Sequence, residues 1–513
     1  MHFRSWELRP ASECFSSGRE PIDCMWVFDS KIDSTTATTN QFKFLKARLV
    51  ARGDQMVYLR DYLETYSSVV RLSTWRLFLA VCAMRGLVLT GADVCTAYLH
   101  AELKDCEVWM KQARGFEETI GGAPALCKLK MAIYGLRQSA RAWAMLLISW
   151  LLDWGFKRAV SDAYLFVYSG ADGFMLLLIW VDDVFIGHSS VDLRARFMKA
   201  FAFRFRVKDL GILRQGLGAS VTQDVAAGTV SFSLQRFILD AARRFEVIDD
   251  PSWADIPVPV ALAKECKAAT PSDAEVAAVL PKYRPIVGVI NFIATFARPD
   301  VGYGSHLCST FNARPGHVHM RLARRILGYL VRTAAMAITY RQDAPEAVTV
   351  SISTPRDDTL EGDPHMLVDS DLGIVRSITG WLVMLAGAAV TWAVRAQTTP
   401  ALSSAEAELY GLSTGVCDLL IDINVLEEML VFYREAIHIF TDSRGARLLA
   451  VDVGSSARTR HIHKRWYFVQ YHVDEKRIAI SPVKGCNNHA NIMTKAVGGA
   501  SFGDARAYAL GHM

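Results

Sequence analysis

Residues 174–187, FMLLLIWVDDVFIG, place two adjacent carboxylates in the most apolar surroundings of the chain. The runs 175–181 and 184–186 are short and rich in branched residues, which predicts two buried strands rather than a pair of helices. Asp182 and Asp183 then fall at the hairpin turn between them. An acid in such surroundings is costly unless a cation or a partner compensates it. Two in a row suit a divalent metal with hard oxygen ligands, Mg²⁺ above all. An Asp-Asp turn that merely caps a hairpin is the competing reading of this stretch alone.

The chain has 513 residues and is 51% hydrophobic, enough for several domains with large cores. Its net charge of +5 is a mild basic bias, compatible with a polyanionic partner but not requiring one. Ten cysteines with no CxxC pair indicate neither a zinc knuckle nor a disulfide framework, and read as reduced thiols. No apolar run approaches the roughly 18 residues of a membrane span. The start MHFRSWELRP lacks a signal-peptide pattern, so the expectation is a soluble, intracellular protein with no membrane partner.

Along the chain, the polar run 33–40 predicts a hairpin loop. Lys43, Lys46, Arg48 and Arg52 then punctuate an apolar strand, either as a solvated face or as a grip on phosphates. Residues 72–85 have helical spacing and read as core. In 91–103, GADVCTAYLHAEL, Asp93 ends an apolar strand that turns directly into a helix.

Here the motifs become specific. DVCTAYLHAEL is followed by IYGLRQSARAW (133–143) and WVDD (180–183), with KARLVARG (46–53), SSVVRLSTWR (67–76), VKDLG (207–211) and YRPIVGVINFIATFARPD (283–300) in the same order. This series resembles the reverse transcriptase of Copia-type LTR retrotransposons, from about residue 26 to 496. The resemblance implies an α+β right-hand polymerase with fingers, palm and thumb, followed by an α/β RNase H-like domain. Asp93 would lie on one palm strand with Asp182 and Asp183 on the hairpin beside it. Asp93 and Asp182 would bridge two Mg²⁺ ions, with Mn²⁺ as a substitute, and Asp183 would support them. The ions, about 3.5–4 Å apart, activate the primer 3′-hydroxyl and neutralise charge on the incoming triphosphate.

The same resemblance makes Tyr98 the aromatic gate against a ribose 2′-hydroxyl. It sets Tyr134, Gly135 and Arg137 behind base and sugar, and Lys46 and Arg48 on the triphosphate. Trp143 reads as a core aromatic. Two departures stand out: Trp180 where the family has Tyr, and Ala140 where it has Pro, a loss expected to loosen a turn. Helical spacing recurs with basic positions at 194–206, 235–244 and 316–332, while 251–281 reads as a Pro- and Ala-rich linker. His317 and His319 lack further ligands at metal-site spacing.

A second set of acids begins at 365–371, HMLVDSD, a strand carrying Asp369. Two Gly-punctuated strands follow in 379–391, then a helix from Ser403 or Ser404 with Glu406 and Glu408, then strand 437–443 ending in Asp442. Strand acid, helix acid, strand acid is the layout of an RNase H fold and resembles the domain trailing the polymerase in this family. Asp369, Glu408 and Asp442 would hold a further pair of Mg²⁺ for hydrolysis of an RNA phosphodiester. Glu408 is preferred to Glu406 because ELYG has the spacing of that fold. Residues 457–470, with His461, match a family helix. Asn491 stands where the family has Asp, and an amide supplies no anionic charge to a second metal, so nuclease activity should be weakened.

The expected domains are 1–250 (fingers to about 90, palm about 91–220), a thumb or connection region 251–355, an RNase H-like domain 356–500 and a tail 501–513. The implied partners are RNA template, DNA primer, RNA–DNA hybrid, dNTPs and other segments of one polyprotein. The implied setting is a cytoplasmic virus-like particle with nuclear entry. Against an active polymerase with a weakened nuclease stand two alternatives. One is a decayed or domesticated relic that binds nucleic acid without catalysis; the other is a cellular RNase H with an appended domain.

Overall fold

The computed structural model of the chain describes residues 4–33, 41–247, 255–342, 364–373, 376–432, 436–451 and 463–512. All but Asp33 of the loop expected at 33–40, and His461, lie outside them. The chain divides into two compact units: residues 1–70, 91–159 and 163–211 form the first, and 71–90, 160–162 and 212–513 the second.

The first unit is organised by a six-stranded sheet in the order Val207–Ile212, Val88–Val94, Asp183–His188, Gly173–Trp180, Leu165–Gly170, Lys157–Arg158. The predicted apolar hairpin is its middle: Gly173–Trp180 pairs antiparallel with Asp183–His188, closing on the pair Trp180 and Asp183. Met175 through Ile179 are each at most 1% exposed, so the strand buries both faces and shows no alternation. Burying each such side chain is worth roughly 1.5–3 kcal/mol. Helix Ser139–Trp154 ends on Gly155 in the left-handed region, and helix Val191–Arg204 is capped by the Ser190 hydroxyl, which accepts from the Leu193 amide. Their rings interlock: Trp150 lies 5.3 Å from Phe201 and Trp154 5.3 Å from Phe197. Ala140 sits in the first turn of its helix, where a missing N–H would cost nothing. The loosened turn expected there is instead pinned by the Ser139 hydroxyl, which donates to the Ile133 carbonyl at 2.6 Å.

A long hairpin, Cys24–Asp33 with Gln41–Ala51, and a small sheet of Trp6–Pro10, Ala123–Leu129 and Trp109–Met110 complete this unit. They share an apolar core of Ile22, Ala51, Met56, Met110, Cys127 and Ile133.

The second unit holds two sheets. In the larger, Ala388–Ala396, Ile378–Leu385 and His365–Asp371 run antiparallel, and Ile437–Thr441 then Ile478–Pro482 add in parallel. This mixed five-stranded order, with helix Ser404–Glu428 packed on it, is an RNase H-like arrangement. The smaller sheet runs Gln215–Gly216, Ala219–Asp224, Thr229–Ser233, Ile338–Arg341. Arg76, on helix Leu72–Met84, is buried here. Its guanidinium donates to the carbonyls of Val390, Thr295 and Phe296 and lies 3.9 Å over the Trp392 ring.

Three expectations are corrected. The stretch read as a linker at 251–281 forms helix Val260–Ala268 and the start of helix Asp273–Phe296, which carries Pro281 and Pro285 inside it. The residues read as a tail form helix Gly499–Leu510, burying Phe502, Tyr508 and Leu510. And two helices, Asp273–Phe296 and Ser404–Glu428, are long and apolar enough to cross a membrane by length and composition alone. Both supply buried core faces in the second unit, and apolar spacing interrupted by charges conceals their length in the sequence.

Candidate functional sites

Asp93 lies on strand Val88–Val94, next to the hairpin strand Asp183–His188 in the sheet. The register is fixed at the site: the Val94 amide donates to the Asp182 carbonyl at 2.9 Å. The turn is two residues long, Val181 and Asp182, so only Asp182 is in it and Asp183 already belongs to the strand. Val181 takes a left-handed conformation at φ +56°, as does Thr96 just after Asp93. Both are β-branched, for which that region is strained.

Burial and the neighbouring Asp182 raise the Asp93 carboxyl above its ordinary value, with Lys46 and Lys208 partly offsetting them. Burial, then Asp182 and Asp93, push Asp183 up to about 6. Two half-buried carboxyls, Asp93 and Asp183, that resist ionisation beside the Asp182 charge would be relieved by a bound cation. Cys95 Sγ lies 3.9 Å from Asp93 Oδ2.

The residues read as nucleotide-binding gather on the same side. Tyr98, on the 3₁₀ turn Ala97–His100, meets Tyr134 edge-on with centroids 5.1 Å apart. Lys46 is near enough to Asp93 to oppose its shift, while Arg48 reaches Asp29 at 3.8 Å. Arg137 donates from Nε to the Gly53 carbonyl at 2.8 Å and lies 5.3 Å over the Tyr62 ring, so its guanidinium is engaged within the protein. Gly135 has φ +92°, and a Cβ there would stand 2.1 Å from the Ala51 carbonyl oxygen. A Cβ on Gly53 would in turn meet the Gly135 oxygen at 2.1 Å. These two glycines let the long hairpin cross the 134–137 loop, and the Ala51 amide donates to Tyr134 there at 2.8 Å. Gly53 escapes a reading of the sequence, since only its partner 82 positions away explains it.

Two further residues support this centre without standing out in sequence. The Trp143 indole donates from Nε1 to the Val181 carbonyl at 2.7 Å. His100 Nε2 lies 3.3 Å from the Cys95 carbonyl.

The second set of acids is the tighter one. One carboxylate oxygen each from Asp369, Glu408 and Asp442 lie within 4.8 Å of one another. Among the described residues, no other group of three metal-ligating side chains comes as close. The Ser403 hydroxyl accepts from the Glu406 amide and the Glu406 carboxylate accepts from the Leu402 amide, so Glu406 caps the helix and Glu408 faces the site. Gly411 permits the approach: a Cβ there would meet Ser370 Oγ at 2.3 Å. Burial, then Asp369 and Asp442, push Glu408 up to about 8, and its Oε2 has no hydrogen-bond partner among the described residues. An orphaned carboxylate oxygen facing two more acids fits a divalent cation.

Asp369 accepts a hydrogen bond from the Thr494 hydroxyl and pairs with Lys495 Nζ at 3.4 Å. Asn488, absent from the sequence-derived set, donates to the Val368 carbonyl at 3.0 Å and to Asp442 at 3.4 Å. Asn491 opens helix Asn491–Thr494 and spends its amide on the Gly485 carbonyl at 2.7 Å, leaving its buried Oδ1 without a partner among the described residues.

The expected duplex-tracking cations are largely engaged within the protein. Arg196 pairs with Asp172 at 2.6 Å, Arg321 with Glu265 at 2.5 Å and Arg332 with Asp255 at 3.5 Å. His319 is no ligand: its Nδ1 accepts from the Gly316 amide at 2.8 Å, capping helix His317–Arg332.

Residues 13–258 match the family described as reverse transcriptase (RNA-dependent DNA polymerase). The retrovirus-related Pol polyprotein from transposon TNT 1-94 of Nicotiana tabacum is 27% identical over 482 residues, covering 94% of this chain and 35% of that one. The transposon Ty5-1 protein YCL074W of Saccharomyces cerevisiae is 30% identical over 305 residues, covering 58% of this chain and 91% of that one. A solved foamy viral protease-reverse transcriptase in complex with dsDNA aligns over 86% of this chain and 75% of its own, at 13% identity and TM-score 0.45. The chain spans about a third of the length of the Pol polyproteins it matches.

Proposed function

The chain belongs to the reverse transcriptase family of Copia-type retrotransposon Pol proteins, and from that premise we propose that it is an RNA-directed DNA polymerase with a weakened RNase H. The observation carrying the proposal is the register of Asp93 against the Val181–Asp182 turn, which sets a strand acid beside the two hairpin acids. Asp93 and Asp182 would hold the metal ions, with Asp183 in support. Two Mg²⁺ ions, when bound, supply charge neutralisation at the primer hydroxyl and the departing pyrophosphate.

The protein's own part is placement. The Tyr98 ring closes the space beside the sugar, and its packing against Tyr134 fixes that ring so that a 2′-hydroxyl is excluded. Lys46 offers positive charge to the triphosphate. Gly135 and Arg137 act less by touching nucleotide than by locking the loop under the long hairpin.

Asp369, Glu408 and Asp442 form the ribonuclease centre. Asn491 cannot add the anionic ligand that a second Mg²⁺ there prefers, so cleavage of RNA in an RNA–DNA hybrid is slow. RNA template, DNA primer, dNTPs and other segments of one polyprotein are the partners, in a cytoplasmic particle with nuclear entry. The functional division at about residues 250 and 355 belongs to the same reading. Extension of oligo(dT) on poly(rA) with Mg²⁺ tests it: binding of hybrid without any extension would favour a catalytically dead relic.

A further inference from the structure

Two left-handed turns that β-branched residues resist adjoin the polymerase carboxylates, Val181 next to Asp182 and Thr96 three residues past Asp93, and a buried ring lies against a carbonyl at each. The Trp143 indole donates to the Val181 carbonyl at 2.7 Å, next to Asp182. The Cys95 carbonyl, two residues beyond Asp93, accepts from Thr96 Oγ1 at 2.6 Å, and His100 Nε2 lies 3.3 Å from that carbonyl and 3.5 Å from the Arg206 amide nitrogen, so the ring is pinned between the two. The two rings are neighbours, with centroids 6.0 Å apart. Both rest on Phe205, 5.5 Å from His100 and 5.4 Å from Trp143. Trp143 is 2% exposed and His100 7%, so both rings are shielded from bulk water.

Neither turn carries the residue its backbone would choose. Val181 at φ +56° and Thr96 at φ +56° occupy a region where Gly or Asn is at ease. Local sequence therefore pulls each turn toward another conformation, and something outside must oppose that pull. Trp143 on helix Ser139–Trp154 opposes it directly at Val181, and His100 does so beside Thr96.

We propose that Trp143 and His100 form one aromatic brace that holds the turns of Asp93 and Asp182 in their strained conformations, making both positioning residues of the polymerase metal site. The proposal rests on the polymerase reading for its purpose, but its test does not need nucleotide incorporation.

Mn²⁺ binding is measured by electron paramagnetic resonance on the full chain carrying Asp369→Asn and Glu408→Gln, which silences the second set of acids. Trp143→Phe keeps an aromatic ring while removing the donor and part of the packed volume, two effects that the Val181→Gly variant separates. It should weaken Mn²⁺ binding roughly three- to tenfold, the loss of one hydrogen bond of ordinary strength. Val181→Gly on the Trp143→Phe chain should restore binding, because glycine adopts the turn unaided. His100→Phe should weaken binding in the same direction. Unchanged Mn²⁺ affinity in Trp143→Phe with a lowered Tm would overturn the proposal, reducing the indole to packing. So would failure of Val181→Gly to restore binding. A parent chain that binds Mn²⁺ but extends no primer would overturn only the polymerase reading.

Discussion

The amide of Val94 and the carbonyl of Asp182 are joined by a 2.9 Å hydrogen bond, which sets the strand of Asp93 in register with the hairpin turn. Residue 93 and residue 182 are thereby held beside one another by backbone. Substituting either side chain leaves that bond in place, so chemistry and folding should separate cleanly.

Asp182→Asn should therefore lower primer extension on the order of a thousandfold, the scale of losing a metal-bridging charge. Its Tm should be equal to or above that of the parent, since Asp182 hinders ionisation of both Asp93 and Asp183. Steady-state incorporation and a thermal melt on one preparation check both halves; a large fall in Tm would contradict the expectation.

Gly135→Ala tests the crossing of the long hairpin over the 134–137 loop. The new Cβ would meet the Ala51 oxygen at 2.1 Å in a backbone conformation at φ +92°. Both effects oppose the native loop, with a cost of about 3 kcal/mol or more. Urea denaturation should show it as a lower midpoint with unchanged slope.

Restoring the acid at the second site is the converse experiment. Asn491→Asp should speed cleavage of a labelled RNA–DNA hybrid by about tenfold or more, the order of one recovered metal ligand. Without metal the added charge should lower Tm, and Mg²⁺ should bring it back. Equal cleavage by both chains would show that position 491 does not limit the nuclease.

Asp422, near the end of helix Ser404–Glu428, supplies a pH test remote from either set of acids. Burial raises its carboxyl to about 7, against which Thr391, Arg76 and Ser73 act only in part. The folded state thus holds a proton that the unfolded state releases near pH 4. Stability contributed by that proton is full below about pH 4, falls as pH rises and is gone above about pH 7, a span of at most about 4 kcal/mol. Asp422→Asn should flatten this dependence, leaving Tm unchanged at pH 4 and raising it at pH 8. Arg76 keeps its three carbonyl acceptors in that variant.

Local chemistry was the legible part of this chain. An unbroken apolar run around Asp182 and Asp183 could only be a buried hairpin, and Ser403 three residues before Glu406 announced the helix that presents Glu408. What stayed hidden depends on partners distant in sequence. Gly53 is unremarkable until Gly135 arrives against it, and the Trp143 indole reads as core until its N–H is seen to meet Val181. Composition misled where packing overrides it: the Pro- and Ala-rich run up to Pro281 argued for a linker, yet the helix that carries Pro281 and Pro285 buries Tyr283, Ile286 and Ile290. That burial outweighs the hydrogen bonds two prolines forfeit.

The buried oxygen of Asn491 that no described residue satisfies has a bearing on what the position can accept. Its niche lies beside the Gly485 carbonyl, to which the Asn491 amide donates. A single base separates an asparagine codon from an aspartate codon. An aspartate at this position is therefore one codon step away and would enter a pocket that is already polar, with no rebuilding of the scaffold around it.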